Sequence, residues 1–89
     1  MAVKVLIKRH FKENYFNEIN EMIKKLRYGG IDQEGYISSE TLLDVKDPYR
    51  VVVASNWRSM KEWNVWKNSE LRKMEGDNIE RFLDGETEY

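Results

Sequence analysis

The 89-residue sequence predicts a single α+β domain over residues 1–89, in which helices cover one face of an antiparallel sheet. Two observations support this class. Residues 2–11 alternate apolar and polar side chains with the period of a strand, and residues 14–28 repeat apolar side chains with the period of a helix. A second pair of strands and further helical residues follow, which gives the order β-α-β-β-α-(β). This is the ferredoxin-like arrangement.

The first two elements are predicted from their periodicity. Val3, Val5 and Ile7 share one parity of the strand at 2–11, and β-branched residues of this kind favour strands. In the helix at 14–28, the apolar residues recur at i, i+3, i+7 and i+10. Asn14 is the predicted N-cap, and Gly29-Gly30 is predicted to end the helix, because glycine readily adopts the left-handed conformation.

Residues 36–45 and 49–57 are predicted to form an antiparallel hairpin, with Asp47-Pro48 in the turn between its strands. Both strands carry apolar residues on both parities. In the first of them, Tyr36 and Leu42 share one parity and Ile37 and Leu43 share the other. Strands of this kind are usually covered on both faces.

The chain continues with two predicted helical stretches, 60–67 and 70–83. Ser59 and Glu62 have the spacing of a capping box at the start of the first stretch. Asn68-Ser69 is predicted to cap the second, and Gly85 to follow its end. Residues 86–89 could begin a fourth strand.

The predicted helices can shield only one face of the sheet. Val51 and Val53 point to one face, and Val52 and Ala54 to the other, so the second face also needs a cover. A second copy of the chain is the simplest candidate, because twofold dimers are the commonest oligomers. The sequence therefore predicts a homodimer.

Composition excludes several function classes. Fifteen basic residues against sixteen acidic ones leave no basic stripe for nucleic acid. The absence of cysteine removes thiolate metal sites, and a single histidine rules out a multi-histidine metal centre. No apolar run is long enough to span a membrane, and no signal peptide is evident, so a cytoplasmic location is expected.

Few residues are candidates for chemistry. His10, the only histidine, lies near the end of the first predicted strand, on the parity of Lys4, Leu6 and Lys8. It is either an exposed strand-end residue or a proton acceptor. Trp63 and Trp66 are three residues apart on one helix face, as is typical of core residues, although either ring could also line a ligand pocket.

Several segments together resemble the antibiotic biosynthesis monooxygenase (ABM) family. They are VKVLIKRHF, EINEMIKKLR, GYIS at 35–38, the turn DPY, VVASNW and Trp66. The resemblance implies a dimeric α/β barrel, with a pocket between each sheet and its helices. It also implies an activity, because some members oxidise phenols, anthrones or quinols with O2 and use no metal or flavin, while another branch degrades haem.

The resemblance suggests pocket residues and leaves alternatives open. Trp66, Tyr36, Asn56 and His10 are the candidates for contacting a small aromatic ligand, and no cofactor or metal is expected. The catalytic residues themselves are not identified. A non-catalytic ligand-binding or stress-related domain is the alternative function. Haem binding is the weakest reading, because Gly76 stands where the haem-degrading branch has its iron-ligating histidine.

Overall fold

The computed structural model describes residues 1–89 and has the predicted α+β, ferredoxin-like order. The elements are β1 (Val3–His10), α1 (Phe16–Ile31), β2 (Tyr36–Leu43), β3 (Arg50–Trp57), α2 (Met60–Lys67) and α3 (Glu70–Glu80). The three strands form an antiparallel sheet in the order β1-β3-β2. The fold class predicted from the sequence is confirmed.

The C-terminal residues pair with the free edge of β1. Glu88 and Lys8 exchange two backbone hydrogen bonds, of 2.8 and 2.9 Å, and Phe11 forms a second bridge with Leu83. The possible fourth strand at 86–89 is thus present only as the isolated bridge of Glu88, and the other bridge is formed by Leu83, which was predicted to be helical.

The register of the sheet determines which residues share a face. Val3, Val5, Ile7 and Arg9 of β1 point toward the helices. The opposite surface, here called the open face, has no helix against it. Its residues are Lys4, Leu6, Lys8 and His10 from β1, Arg50, Val52, Ala54 and Asn56 from β3, and Ser38, Glu40 and Leu42 from β2.

A β-bulge changes the predicted face of part of β2. The register shifts between Tyr36 and Ser38, so Tyr36 lies on the helix-covered face together with Leu43, and not with Leu42. A bulge inserts an extra residue, here Ile37, and reverses the parity that follows it. Simple alternation across residues 36–45 was therefore the wrong assumption.

Helix α1 differs from the prediction at both ends. Asn14 has a left-handed φ of 77° and precedes the helix, so Tyr15 is at the N-cap position. Gly29 and Gly30 do not end the helix, which continues to Ile31. Trp66 explains these two glycines: a Cβ on Gly29 would lie 3.0 Å from its ring, and one on Gly30 3.5 Å. The helix backbone packs directly on the indole.

The other caps follow the predictions more closely. Ser59 accepts a hydrogen bond from the backbone N–H of Glu62 and starts α2, and Ser69 accepts one from Arg72 and starts α3. Helix α3 ends at Glu80, earlier than predicted, and β2 ends at Leu43, where Asp44 accepts two turn N–H groups.

Two clusters of buried side chains fill the space between sheet and helices. The tryptophan cluster contains Val5, Ile7, Trp57, Trp63 and Trp66. The isoleucine cluster contains Phe11, Ile19, Ile23, Val51 and Ile79. Burial of these groups is the main favourable contribution to a domain of this size.

Candidate functional site

A cavity lies between the helix-covered face of the sheet and the three helices. It contains about 510 Å³ of empty space including its open mouth, of which about 50 Å³ admits the centre of a water molecule. Fifteen residues line it, eight of them hydrophobic. Such concave, mostly apolar spaces are where small ligands usually bind.

Aromatic rings form much of the cavity wall. Tyr36 meets Trp57 edge to face with ring centroids 5.6 Å apart, and Trp57 lies 5.7 Å from Trp63. Trp66 completes the wall and rests against Gly29 and Gly30. Because α2 places Trp63 and Trp66 three residues apart, both rings point toward the sheet.

The polar groups of two of these rings are already bonded within the wall. The indole N–H of Trp57 donates to Ser55 Oγ at 3.2 Å, and Ser55 is itself buried. The hydroxyl of Tyr36 is 2.6 Å from Ser39 Oγ. These bonds fix the orientation of both rings, since buried polar groups are rarely left unpaired.

Arg9 is a buried charge that the sequence analysis did not identify. Its residue exposure is 7%, its side chain donates no hydrogen bond, and its Nε is buried without a partner. Burial, and then the charge of Arg72, lower the pKa of Arg9 to about 10, while Tyr89 acts in the opposite direction. The guanidinium is therefore still charged at neutral pH.

Arg72, also missed, is buried to 8% exposure and has one neutral hydrogen-bond partner, the hydroxyl of Tyr89 at 3.2 Å. Its guanidinium lies 5.2 Å from the ring centroid of Trp63 and 5.6 Å from that of Tyr89. The ammonium group of Lys67 also lies over the Tyr89 ring, 4.3 Å from its centroid. Cations over aromatic faces are stabilised by the ring quadrupole.

The cavity lining contains arginines but no carboxylate and no histidine. Arg9, Arg27 and Arg72 are its charged residues. Both buried arginines had a readable signal. Arg9 has the parity of Val3, Val5 and Ile7, and Arg72 precedes Ile79 by two helical turns. In both elements, a charged residue occupies a position at which the periodic pattern otherwise has apolar residues. This indicates that its side chain is buried.

The four predicted pocket residues separate into two pairs. Trp66 and Tyr36 both line the cavity. His10 and Asn56 lie on the open face, on the other side of the sheet, where Asn56 donates to Ser38 Oγ at 3.0 Å. The structure therefore brings together only half of the predicted set, and the role of each residue stays a prediction.

His10 occupies the end of β1 between two carboxylates. Its Nε2 is 2.7 Å from Asp47 Oδ2, and its Nδ1 is 3.4 Å from Asp84 Oδ2. The hydrogen bond from His10, followed by the backbone N–H of Tyr49, lowers the pKa of Asp47. This arrangement connects β1 with the β2–β3 turn and the C-terminal residues.

A second carboxylate with a shifted pKa lies at the start of α2. The hydrogen bond from Arg58 lowers the pKa of Glu62 and raises that of Arg58. Arg58 also contacts Glu34 at 3.2 Å. No group of three or more histidine, cysteine or acidic residues is placed to hold a metal ion, and no helix is long and apolar enough to cross a membrane.

The fold and the cavity together define a small ferredoxin-like domain with an aromatic chamber between its sheet and its helices. The chain belongs to the antibiotic biosynthesis monooxygenase (ABM) family, whose model matches residues 2–74. The family resemblance inferred from the sequence is confirmed. No curated protein matches the chain significantly.

Solved structures share the fold at low sequence identity. A conserved protein from Methanosarcina mazei Go1 is 22% identical, with a TM-score of 0.91 over 99% of this chain and 87% of that one. Rv0793 from Mycobacterium tuberculosis is 10% identical, with a TM-score of 0.87 over 99% and 89%. SnoaB from Streptomyces nogalater, a cofactor-independent oxygenase, is 9% identical, with a TM-score of 0.87 over 98% and 88%.

Proposed function

We propose that this chain is a small monooxygenase-like protein that oxidises an aromatic phenol, anthrone or quinol with O2, without a metal or flavin. The observation that carries the proposal is the cavity walled by Trp57, Trp63, Trp66 and Tyr36 in a member of the ABM family. The cofactor-independent oxygenase SnoaB has the same fold and supports the proposed reaction type.

The proposed reaction balances without a cofactor. In the anthrone case, the substrate carbon loses two hydrogens, one oxygen atom of O2 forms the new carbonyl, and the other leaves as water. The electrons come from the ionised, electron-rich substrate, so the protein has to bind, orient and shield it. The rings supply a flat apolar enclosure, and the Tyr36 hydroxyl, beside Ser39, is the group that could contact a substrate oxygen.

Oxygen uptake with a panel of anthrones and hydroquinones tests this proposal. We expect at least one compound to be consumed faster with protein than in buffer, with one atom of isotopically labelled O2 in the product. Trp66→Leu should lower that rate by about tenfold, because a misplaced substrate loses the benefit of orientation. Val65→Leu, on the exposed side of α2, is the matched control. Rates equal to buffer for every compound would refute the oxidation.

Ligand binding without turnover is the second candidate. It is favoured by the absence of histidine and carboxylate from the cavity lining, which leaves no ordinary general base there. A substrate in this cavity would not touch His10, the only histidine, because that residue is on the open face. Quenching of tryptophan fluorescence by anthrone, with no oxygen consumed, would favour this function.

We also propose that two copies pair through their open faces to form an α/β barrel. Leu6 of β1 and Leu42 of β2 are 41% and 47% exposed on this face. Val52 lies between them on the central strand, β3. Burying these side chains against a second copy would remove apolar surface from water. Sedimentation velocity at micromolar concentration should show a dimer. Leu42→Glu should convert it to a folded monomer, and a wild-type monomer would refute the pairing.

A further inference from the structure

Two buried arginines separate the aromatic cavity from a second, polar groove. Arg9 and Arg72 line the cavity, and they also line the groove that α3 forms with residues 83–89. This groove offers about 410 Å³ to water. The two arginine side chains are therefore placed where the aromatic cavity meets an open, polar groove.

Neither arginine has an anionic partner. The only hydrogen bond from either side chain is the one from Arg72 to the neutral hydroxyl of Tyr89. Acidic residues Asp77, Glu80 and Glu86 line the same groove, yet none forms an ion pair with the arginines. Buried charges are costly unless they are paired, and the charge of Arg72 adds repulsion at Arg9.

An anion bound between the arginines would remove this cost. Arg9 Nε is a buried donor with no partner, and a guanidinium offers a planar fork that matches a carboxylate. The surface next to this fork is aromatic, because Arg72 lies over Trp63, 5.2 Å from its centroid. The ligand that fits both surfaces has a flat ring and an acidic group.

We propose that Arg9 and Arg72 bind the carboxylate of an aromatic acid whose ring lies among the tryptophans of the cavity. The inference rests on the proposed function in that it uses the same cavity, and it narrows the substrate class to aromatic compounds that carry a negative charge. Arg72 positions the acid over Trp63, and Arg9 supplies the unpaired buried donor. The Tyr89 hydroxyl accepts from Arg72 and donates its own proton to the carboxylate.

Binding of naphthoate, compared with its neutral amide naphthamide, tests the proposal. The two share one ring system and nearly one size, so isothermal titration separates the contribution of the charge. We expect naphthoate to bind about ten to a hundred times more tightly than naphthamide, as is typical of hydrogen bonds to charged groups. Equal affinities, or no binding of either compound, would overturn the proposal.

Variants identify the arginines as the source of the preference. Arg9→Gln and Arg72→Gln should each reduce naphthoate affinity to within a few-fold of the naphthamide affinity measured on the same variant. The naphthamide measurement corrects for any change that the substitution makes in the cavity wall. Arg81→Gln, at an exposed arginine after α3, is the control of equal charge change and should keep the full preference. A preference for the acid that survives in both cavity variants would refute the assignment.

A measurement on the wild-type chain guards against variants that fail to fold. In a ¹H–¹⁵N spectrum, the Nε–H signal of Arg9 should move downfield with naphthoate and stay in place with naphthamide. An unmoved signal at saturating naphthoate would overturn the proposal. These measurements also distinguish this proposal from the proposed oxidation. Acid-selective binding without oxygen uptake would refute only the oxidation. Oxidation of neutral phenols with no preference for the acid would refute only the anion-binding site.

Discussion

The tryptophan cluster and the isoleucine cluster lie under the same face of one sheet, yet four of the five residues of the first line the cavity and only Ile23 of the second does. The isoleucine cluster packs branched side chains around Phe11 and Ile79, both 1% exposed. The tryptophan cluster packs three flat, rigid rings against a sheet and a pair of helical glycines. Branched aliphatic side chains fill a space closely, whereas large rings at steep angles to one another leave gaps between them.

The polar content of the two regions differs in the same way. Ser55, Arg9 and Arg72 are the buried polar residues of the chain, and all three line the cavity of the tryptophan cluster. The isoleucine cluster has no buried polar side chain. The isoleucine cluster is therefore an apolar packing unit, whereas the tryptophan cluster combines packing with polar groups that a ligand can use.

The largest expected effect comes from opening the isoleucine cluster. Ile79→Ala should lower the free energy of unfolding by about 2–5 kcal/mol, because it removes buried methyl groups and leaves a cavity. Val65→Ala, at an exposed position of α2, should stay within about 0.5 kcal/mol of the wild type. Urea unfolding followed by circular dichroism measures both. Equal stabilities of the two variants would show that the isoleucine cluster is not the stabilising region.

The next effect tests the polar content of the tryptophan cluster. Ser55→Ala should cost about 1–3 kcal/mol, because the buried indole N–H of Trp57 loses its acceptor. Ser38→Ala is the matched control, and both changes are made in the monomeric Leu42→Glu chain, where water can replace the Ser38 hydroxyl that accepts from Asn56. Urea unfolding should separate the two serine variants. An Ala at position 55 that costs no more than one at position 38 would contradict a buried, obligatory bond.

A smaller effect compares three helical glycines. Gly76→Ala has open space around it and should stabilise the chain by about 0.5–1 kcal/mol through helix propensity. At Gly30 the new Cβ would make ordinary contact with Trp66, and at Gly29 it would approach the ring to 3.0 Å. We therefore expect Gly29→Ala to be the least stable of the three in thermal unfolding. The same gain at all three positions would mean that Trp66 does not rest on the helix backbone.

The smallest effect concerns pH, where each region has one carboxylate of lowered pKa. Asp47 accepts from the backbone N–H of Tyr49, which packs against the isoleucine cluster, and Glu62 lies at the start of α2. A carboxylate whose pKa is lowered by folding stabilises the protein above its ordinary pKa, and this contribution is lost as the pH falls through the folded-state pKa. Stability should therefore decline on acidification below about pH 4.

Two variants check the origin of this decline. Asp47→Asn and His10→Ala should each make urea-unfolding stability less dependent on pH in the acid range, because the hydrogen bond between these residues is the main cause of the shift. The Asp47 side chain is 38% exposed, so the change should be modest. An acid decline as steep in both variants as in the wild type would place its cause elsewhere.

Local sequence patterns were enough to predict the elements, and contacts between distant residues were not. The Ser59 cap was predictable because its bond spans three residues, and the parity of β1 placed His10 correctly. The role of Gly29 and Gly30 was not predictable, because it depends on Trp66, a distant residue in the sequence. The bulge at Ile37 likewise had no signal that alternation could show.

The candidate site shows the same division. Trp66 was placed by a helical period and by family resemblance, and it lines the cavity with Tyr36. Asn56 on β3 and His10 on β1 both lie on the open face. The register between these two strands places them on the opposite side of the sheet from the tryptophans. The burial of Arg9 was not predicted, because charged side chains are rarely found at buried strand positions.

The pairing of Glu88 with Lys8 has a consequence for how copies of this chain can aggregate. Together with the bridge from Phe11 to Leu83 it covers the C-terminal end of the β1 border, whereas no strand lies beside β2. A growing amyloid ribbon adds strands at two borders, and a border that is partly covered pairs poorly with a new strand. Loss of the last residues would remove that protection and create a second site for fibril growth.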